Sequence, residues 1–153
     1  MLNRIKALLT GGAAPDQGDH AAEVRLAAAA LLVEAAQMDG QMSGRERDRI
    51  LDLLRSRFDL SAEEAEDLCQ EAAARSADTH HLLPFTRVIK DRFEQAERVE
   101  MLEMLWEVAY ADGHLHDYEA NLVRRIGGLI YVSDQESGGA RKRAMARLGV
   151  QDG

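Results

Sequence analysis

Residues Leu105 to Val123 read LWEVAYADGHLHDYEANLV, and most of this pattern has already occurred upstream as LVEAAQMDGQMSGRERDRI, from Leu32 to Ile50. Aligned without a gap, the copies share Leu32/Leu105, Glu34/Glu107, Ala36/Ala109, Asp39/Asp112, Gly40/Gly113 and Glu46/Glu119. In each copy an apolar residue follows the glycine by two positions (Met42, Leu115) and a glutamate follows it by six. The copies lie 73 positions apart (112 − 39), too far for a tandem solenoid repeat. The spacing suits two copies of one helix-turn-helix unit within a single domain.

Composition agrees. The chain has 153 residues, enough for one domain with a real core. Alanine, leucine, glutamate and arginine dominate and there are two prolines, so the expected class is all-α. The expectation is a single compact domain of about seven to eight helices with an internal pseudo-two-fold repeat. A net charge of −8 argues against nucleic acid as a partner. Cys69 is the lone cysteine, which excludes an internal disulfide and suggests a reducing compartment. No apolar run approaches the ~20 residues of a membrane span. The opening MLNRIKALLTGG has an apolar run too short for a signal peptide. A cytoplasmic location is therefore expected.

Outward from the repeat, residues 1–18 read as a short helix (Leu2, Ile5, Leu8 and Leu9 on one side) and a flexible linker, TGGAAPDQGD, with the helical domain at 19–153. A membrane contact through residues 1–9 is weighed against a loosely packed end, and the second is preferred. From Leu26 to Met38 the pattern is apolar on nearly every side, which predicts a central helix buried all round. Ser43 with Glu46, and Ser61 with Glu64, form capping boxes opening the next two helices. Ile50, Leu53, Leu54 and Phe58 are the core stripe of the first. Pro84 suits the first turn of a helix to Phe93. In the helix Ala96–Ala111, Val99, Leu102, Leu105, Trp106 and Ala109 face the core. Glu100, Glu103 and Glu107 share the other face. A helix from about His116 to Tyr131 follows, and Ser133 starts a last, basic one with Arg141, Lys142, Arg143 and Arg147.

The chemistry rests on the acids. Glu34 and Glu107 sit within apolar helices, and an unpaired buried carboxylate costs several kcal/mol. Each needs an arginine, a helix N-terminus, a metal or a proton. Asp-Gly-x5-Glu matches the end of a calcium-binding loop, but Ala35, Gln37, Val108 and Tyr110 occupy the other ligand positions, which removes the usual carboxylates. Asp112, His114 and His116 hold ligand types for a transition metal, although Gln41 and Ser43 replace the histidines in the first copy. The plain alternative is structural. The glycines end helices, Glu46 and Glu119 cap them, and salt bridges to Arg45, Arg49, Arg124 or Arg125 neutralise the rest. Cys69 reads as a small core residue, Met38, Met42, Met101 and Met104 as core filler, and His80 and His81 as a helix boundary. No phosphate loop, nucleophile elbow or HExxH is present.

The paired turns and the closing segment LIYVSDQESGGARKRAM resemble the tellurite-resistance protein TerB family, from about Leu26 to Leu148. The resemblance implies an all-helical, internally symmetric fold and a divalent cation held by acidic residues. It also implies a non-enzymatic role in tellurite or envelope stress, as a scaffold with a protein partner. Carried onto this chain, the metal ligands would be Glu34, Asp39, Glu46, Glu107, Asp112 and Glu119, with His114 and His116 as lesser candidates. The chain departs from the family in the loop read at Ser137–Gly139. The competing interpretation is an interaction scaffold whose acids are only caps and ion pairs.

Overall fold

The computed structural model describes residues 15–37, 42–78, 82–111, 113, 115 and 117–149. Among them there are seven helices and no strand: α1 (Pro15–Ala36), α2 (Gly44–Phe58), α3 (Ala62–Asp78), α4 (Leu83–Arg92), α5 (Gln95–Ala109), α6 (Asp117–Leu129) and α7 (Asp134–Leu148). Two helices carry the architecture. α1 packs on α2, α3, α4, α5 and α6, while α5 packs on α1, α2, α6 and α7.

The sequence explains this pair. α1 is buried almost continuously from Ala27 to Ala36 except at Glu34. Its run Ala27–Ala30 has no side-chain bulk to hold neighbours away and little side-chain entropy to lose. α5 buries every residue from Glu100 to Ala109, including Trp106, Leu102 and Leu105. Leu32 and Leu105, equivalent in the repeat, are both fully buried. Each such side chain contributes about 1.5–3 kcal/mol by leaving water.

The two halves superpose in connectivity. α1, α2 and α3 correspond to α5, α6 and α7, with α4 packed on α1 and α6. The correspondence runs past the turns. α2 ends at Asp59 in the left-handed region (φ 55°), with Leu60 N–H donating to the Arg55 carbonyl. α6 is followed by Tyr131 in the same region (φ 62°), with Val132 N–H donating to the Gly127 carbonyl. These 6→1 bonds satisfy carbonyls the helix would otherwise leave open. One residue later, Ser61 and Ser133 cap the third helix of each half in reciprocal bonds with Glu64 and Glu136. The motif FDLSAEE is thus repeated as IYVSDQE, with Phe58 and Ile130 both buried.

Two expectations are corrected. Residues 15–18, read as linker, are the first turn of α1, and Pro15 opens it because that position needs no backbone N–H. Ser137–Gly139, read as a loop, lies inside α7. Glycine there costs about 1 kcal/mol per residue relative to alanine, but the Ser133–Glu136 capping box and the packing on α5 outweigh it. Trp106 Nε1 donates to Ser137 Oγ at 3.3 Å, and Arg143 lies across Gly139, where a Cβ would stand 3.4 Å from its Nη1. At Gly127 a Cβ would come within 2.9 Å of Leu102, so glycine lets α6 close on α5. Cys69, Met101 and Met104 are core, and Met42 is partly buried. Met38, His80, His81 and the segment 1–14 fall outside the described residues. No helix among the described residues is long and apolar enough to cross a membrane.

Candidate functional site: a buried glutamate-arginine cluster

The Glu100, Glu103 and Glu107 stripe does not face water. Its residues are 1%, 3% and 1% exposed, so α5 is buried on its acidic face as well as its apolar one. The i, i+3, i+7 spacing aligns the three along one side, and that side is pressed between α2 and α7. Arg57 arrives from α2. It stands seven residues after Ile50 on the stripe that also carries Leu53 and Leu54, so it points inward with them. Its Nη1 donates to Glu100 Oε1 at 2.9 Å, and its Nη2 to Glu107 Oε2 at 3.3 Å, with Glu103 Oε2 at 3.9 Å. α7 supplies two more guanidinium groups, one turn apart. Arg147 bridges Glu107 Oε2 at 2.6 Å and Glu103 Oε2 at 2.7 Å. Arg143 Nε donates to Glu103 Oε1 at 2.5 Å. Arg49 Nη1 lies 4.0 Å from Glu107 Oε1. Beside this cluster, Arg141 donates to the Tyr110 hydroxyl at 2.6 Å and sits over the Trp106 and Tyr110 rings.

Three carboxylates and three close guanidinium groups nearly cancel, which makes their burial tolerable. Burial pushes Glu103 up, but bonds from Arg143 and Arg147 outweigh it and hold the group below the ordinary carboxylate range. Glu100 goes the other way. Desolvation is its largest influence and raises it despite Arg57, and its Oε2 is buried with no hydrogen-bond partner among the described residues. Arg147 is held above its usual value, since its two glutamates outweigh its own desolvation. Burial also raises the Cys69 thiol, which is the opposite of nucleophile activation.

The residues proposed as metal ligands are spread among several tasks. Glu107 is inside the cluster. Glu34, its repeat partner, is half-buried and accepts a hydrogen bond from Ser76 Oγ on α3. Glu46 Oε1 accepts from Ser43 N–H at 2.9 Å, closing its capping box. Glu119 is buried in the first turn of α6. Asp39, Asp112, His114 and His116 lie outside the described residues. Among the described residues, no three histidine, cysteine, aspartate or glutamate side chains are grouped so as to hold an ion. Glu107 does not fit such a site, because its oxygens face cationic groups.

Arg57, Arg143 and Arg147 are the participants that sequence reasoning missed. It named Arg45, Arg49, Arg124 and Arg125 instead: Arg49 does reach Glu107, at 4.0 Å, while Arg45, Arg124 and Arg125 are exposed. A signal was present. Arg143 and Arg147 have the same four-residue spacing as Glu103 and Glu107, and Arg57 occupies a core-stripe position where a charge demands a partner.

Comparison with curated proteins and with solved structures returns no match. The family model described as Tellurite resistance protein TerB matches residues 25–142, more than three quarters of the chain and both halves of the repeat. The chain belongs to the TerB family.

Proposed function

We propose that this protein is a non-enzymatic interaction module serving a tellurite or stress response, in which the duplicated acids stabilise the bundle rather than ligate a metal. The observation that carries this reading is Glu107. It is 1% exposed and receives Arg57 at 3.3 Å and Arg147 at 2.6 Å, so its charge is already balanced by the chain itself. Glu46 and Glu34 are occupied by Ser43 and Ser76. A divalent cation at Glu107 Oε2 would have to displace Arg147 and Arg57 and leave the buried Arg57 without that partner, which is electrostatically costly.

Calorimetry of the full chain with calcium, magnesium, manganese and zinc tests this. The expected result is no saturable heat and no shift of the thermal midpoint. Stoichiometric uptake abolished by Glu107→Gln would overturn it. The link to tellurite rests on family membership, and loss of tellurite tolerance on deleting the coding sequence is the expected phenotype.

A further inference from the structure

The repeat makes one corner of the molecule informative, because among the described residues the same corner is closed in one half and open in the other. In the second half it lies between the start of α5 and the start of α7. Gln95 closes it, its Nε2 donating to the Tyr131 carbonyl at 3.1 Å and to Glu136 Oε1 at 3.1 Å. Arg98, one turn on, donates to the Phe93 carbonyl at 2.9 Å. In the first half the equivalent positions are Ala22 for Gln95, Arg25 for Arg98, Leu60 for Val132 and Glu64 for Glu136. Alanine cannot reach the capping glutamate. A groove of about 490 Å³ remains between α1 and α3, within the size range of ligand sites.

Its walls define what would fill it. Leu26, Leu60 and Leu68 are partly buried hydrophobics that pack on the core and line the groove. Around them stand Glu23, Glu64, Asp67 and Glu71, with Arg25 as the cation. At the corresponding places α7 carries Gly139, Ala140 and Arg143, small residues and a base that let it close on α5. The open corner therefore presents an apolar floor and an acceptor-rich rim. In the closed corner the one acidic acceptor retained, Glu136, is met by the Gln95 amide, and α7 packs on α5.

We infer that the α1–α3 groove docks a basic amphipathic helix from a partner protein, leucine-type side chains entering the floor and lysine or arginine meeting the rim in place of the missing glutamine. This specifies the partner of the interaction module proposed above, and rests on that reading. The acids surrounding the site would make docking fast and salt-sensitive.

Fluorescence anisotropy with a fluorescein-labelled leucine-lysine peptide, LKKLLKLLKKLLKL, tests the inference on the full chain. Two variants act on the groove: Ala22→Gln, which installs the closure used by the second half, and the double change Asp67→Lys with Glu71→Lys. Glu63→Lys is the control, exposed on the same helix but outside the groove lining. The expected result is saturable binding, weakened at least ten-fold by either groove variant and less than two-fold by Glu63→Lys. Ala22→Gln should also raise the thermal midpoint. Absence of saturable binding, or equal weakening by Glu63→Lys, would overturn the groove assignment. If Ala22→Gln does not fold, the exposed double variant decides alone. Metal uptake in calorimetry would remove the interaction reading without altering this titration, so the two failures are distinguishable.

Discussion

Glu34 and Glu107 occupy one position in a duplicated unit and have been solved differently. Glu34, on α1, is half-buried and takes a hydroxyl from Ser76 on α3. Glu107, on α5, is buried beneath Arg57 and Arg147, with Glu100 and Glu103 alongside. In both halves the first helix offers a carboxylate and the third helix answers it. The difference shows how the duplication diverged. A lone acid near solvent is satisfied by a neutral donor, whereas three acids on one buried face require an equal number of cations. Ionic packing then draws α7 onto α5 and recruits α2 across the repeat boundary.

The sharpest way to break this contrast is Arg57→Met. It leaves Glu100 and Glu107 buried without their inner cation, and the expected loss is about 3–5 kcal/mol by urea denaturation. A loss below 1 kcal/mol would mean the cluster does not depend on Arg57.

Acid should act next. Glu103 is held below its ordinary value in the folded chain, so it stabilises the fold at neutral pH, and that contribution disappears as pH falls through its folded value. Glu100 is raised, so its ionised form is a cost at neutral pH that is relieved as pH falls toward the ordinary glutamate range. Denaturation midpoints should therefore hold or rise as pH falls toward about 4.3, the ordinary glutamate value, and fall below it. Glu103→Gln should flatten the lower limb.

Ser76→Ala should cost less than Arg57→Met, about 1–3 kcal/mol, since it strips a donor from a half-buried acid rather than a fully buried one. A cost matching Arg57→Met would erase the distinction between the halves. By contrast, Ser61→Ala and Ser133→Ala should each cost about 1 kcal/mol and agree closely, because both capping boxes are intact. The smallest effect concerns the left-handed residues. Tyr131→Gly should stabilise by under ~1 kcal/mol, because relieving its positive φ exceeds the loss of its contact with Lys90. Asp59→Gly should gain less, since aspartate tolerates that conformation. Thermal melts of the pair would rank them.

Much of the fold was legible because it rests on local rules. The apolar run Leu26–Met38 announces a buried helix, Ser43, Ser61 and Ser133 announce caps, and the 73-residue spacing announces a pair of units. The continuation of the repeat, FDLSAEE against IYVSDQE, is hidden in the sequence, because only Ser61/Ser133 and Glu64/Glu136 are identical and the spacing there is 72 (133 − 61) rather than 73. The site was less legible. A glutamate stripe on a helix has the same pattern whether it meets water or arginine, and periodicity places Glu100, Glu103 and Glu107 on one face without saying what covers it. Likewise Ser137–Gly139 has loop composition and is helical because Trp106 and Arg143 pack over it.

Sequence alone therefore determined the helices, their caps and the duplication, since each depends on residues within a few positions of one another or on direct repetition. Tertiary structure alone decided which charges are paired and which corner is open among the described residues. Those outcomes depend on groups such as Arg57 and Glu100, 43 positions apart in the chain, whose mutual distance is set only when three helices close around α5.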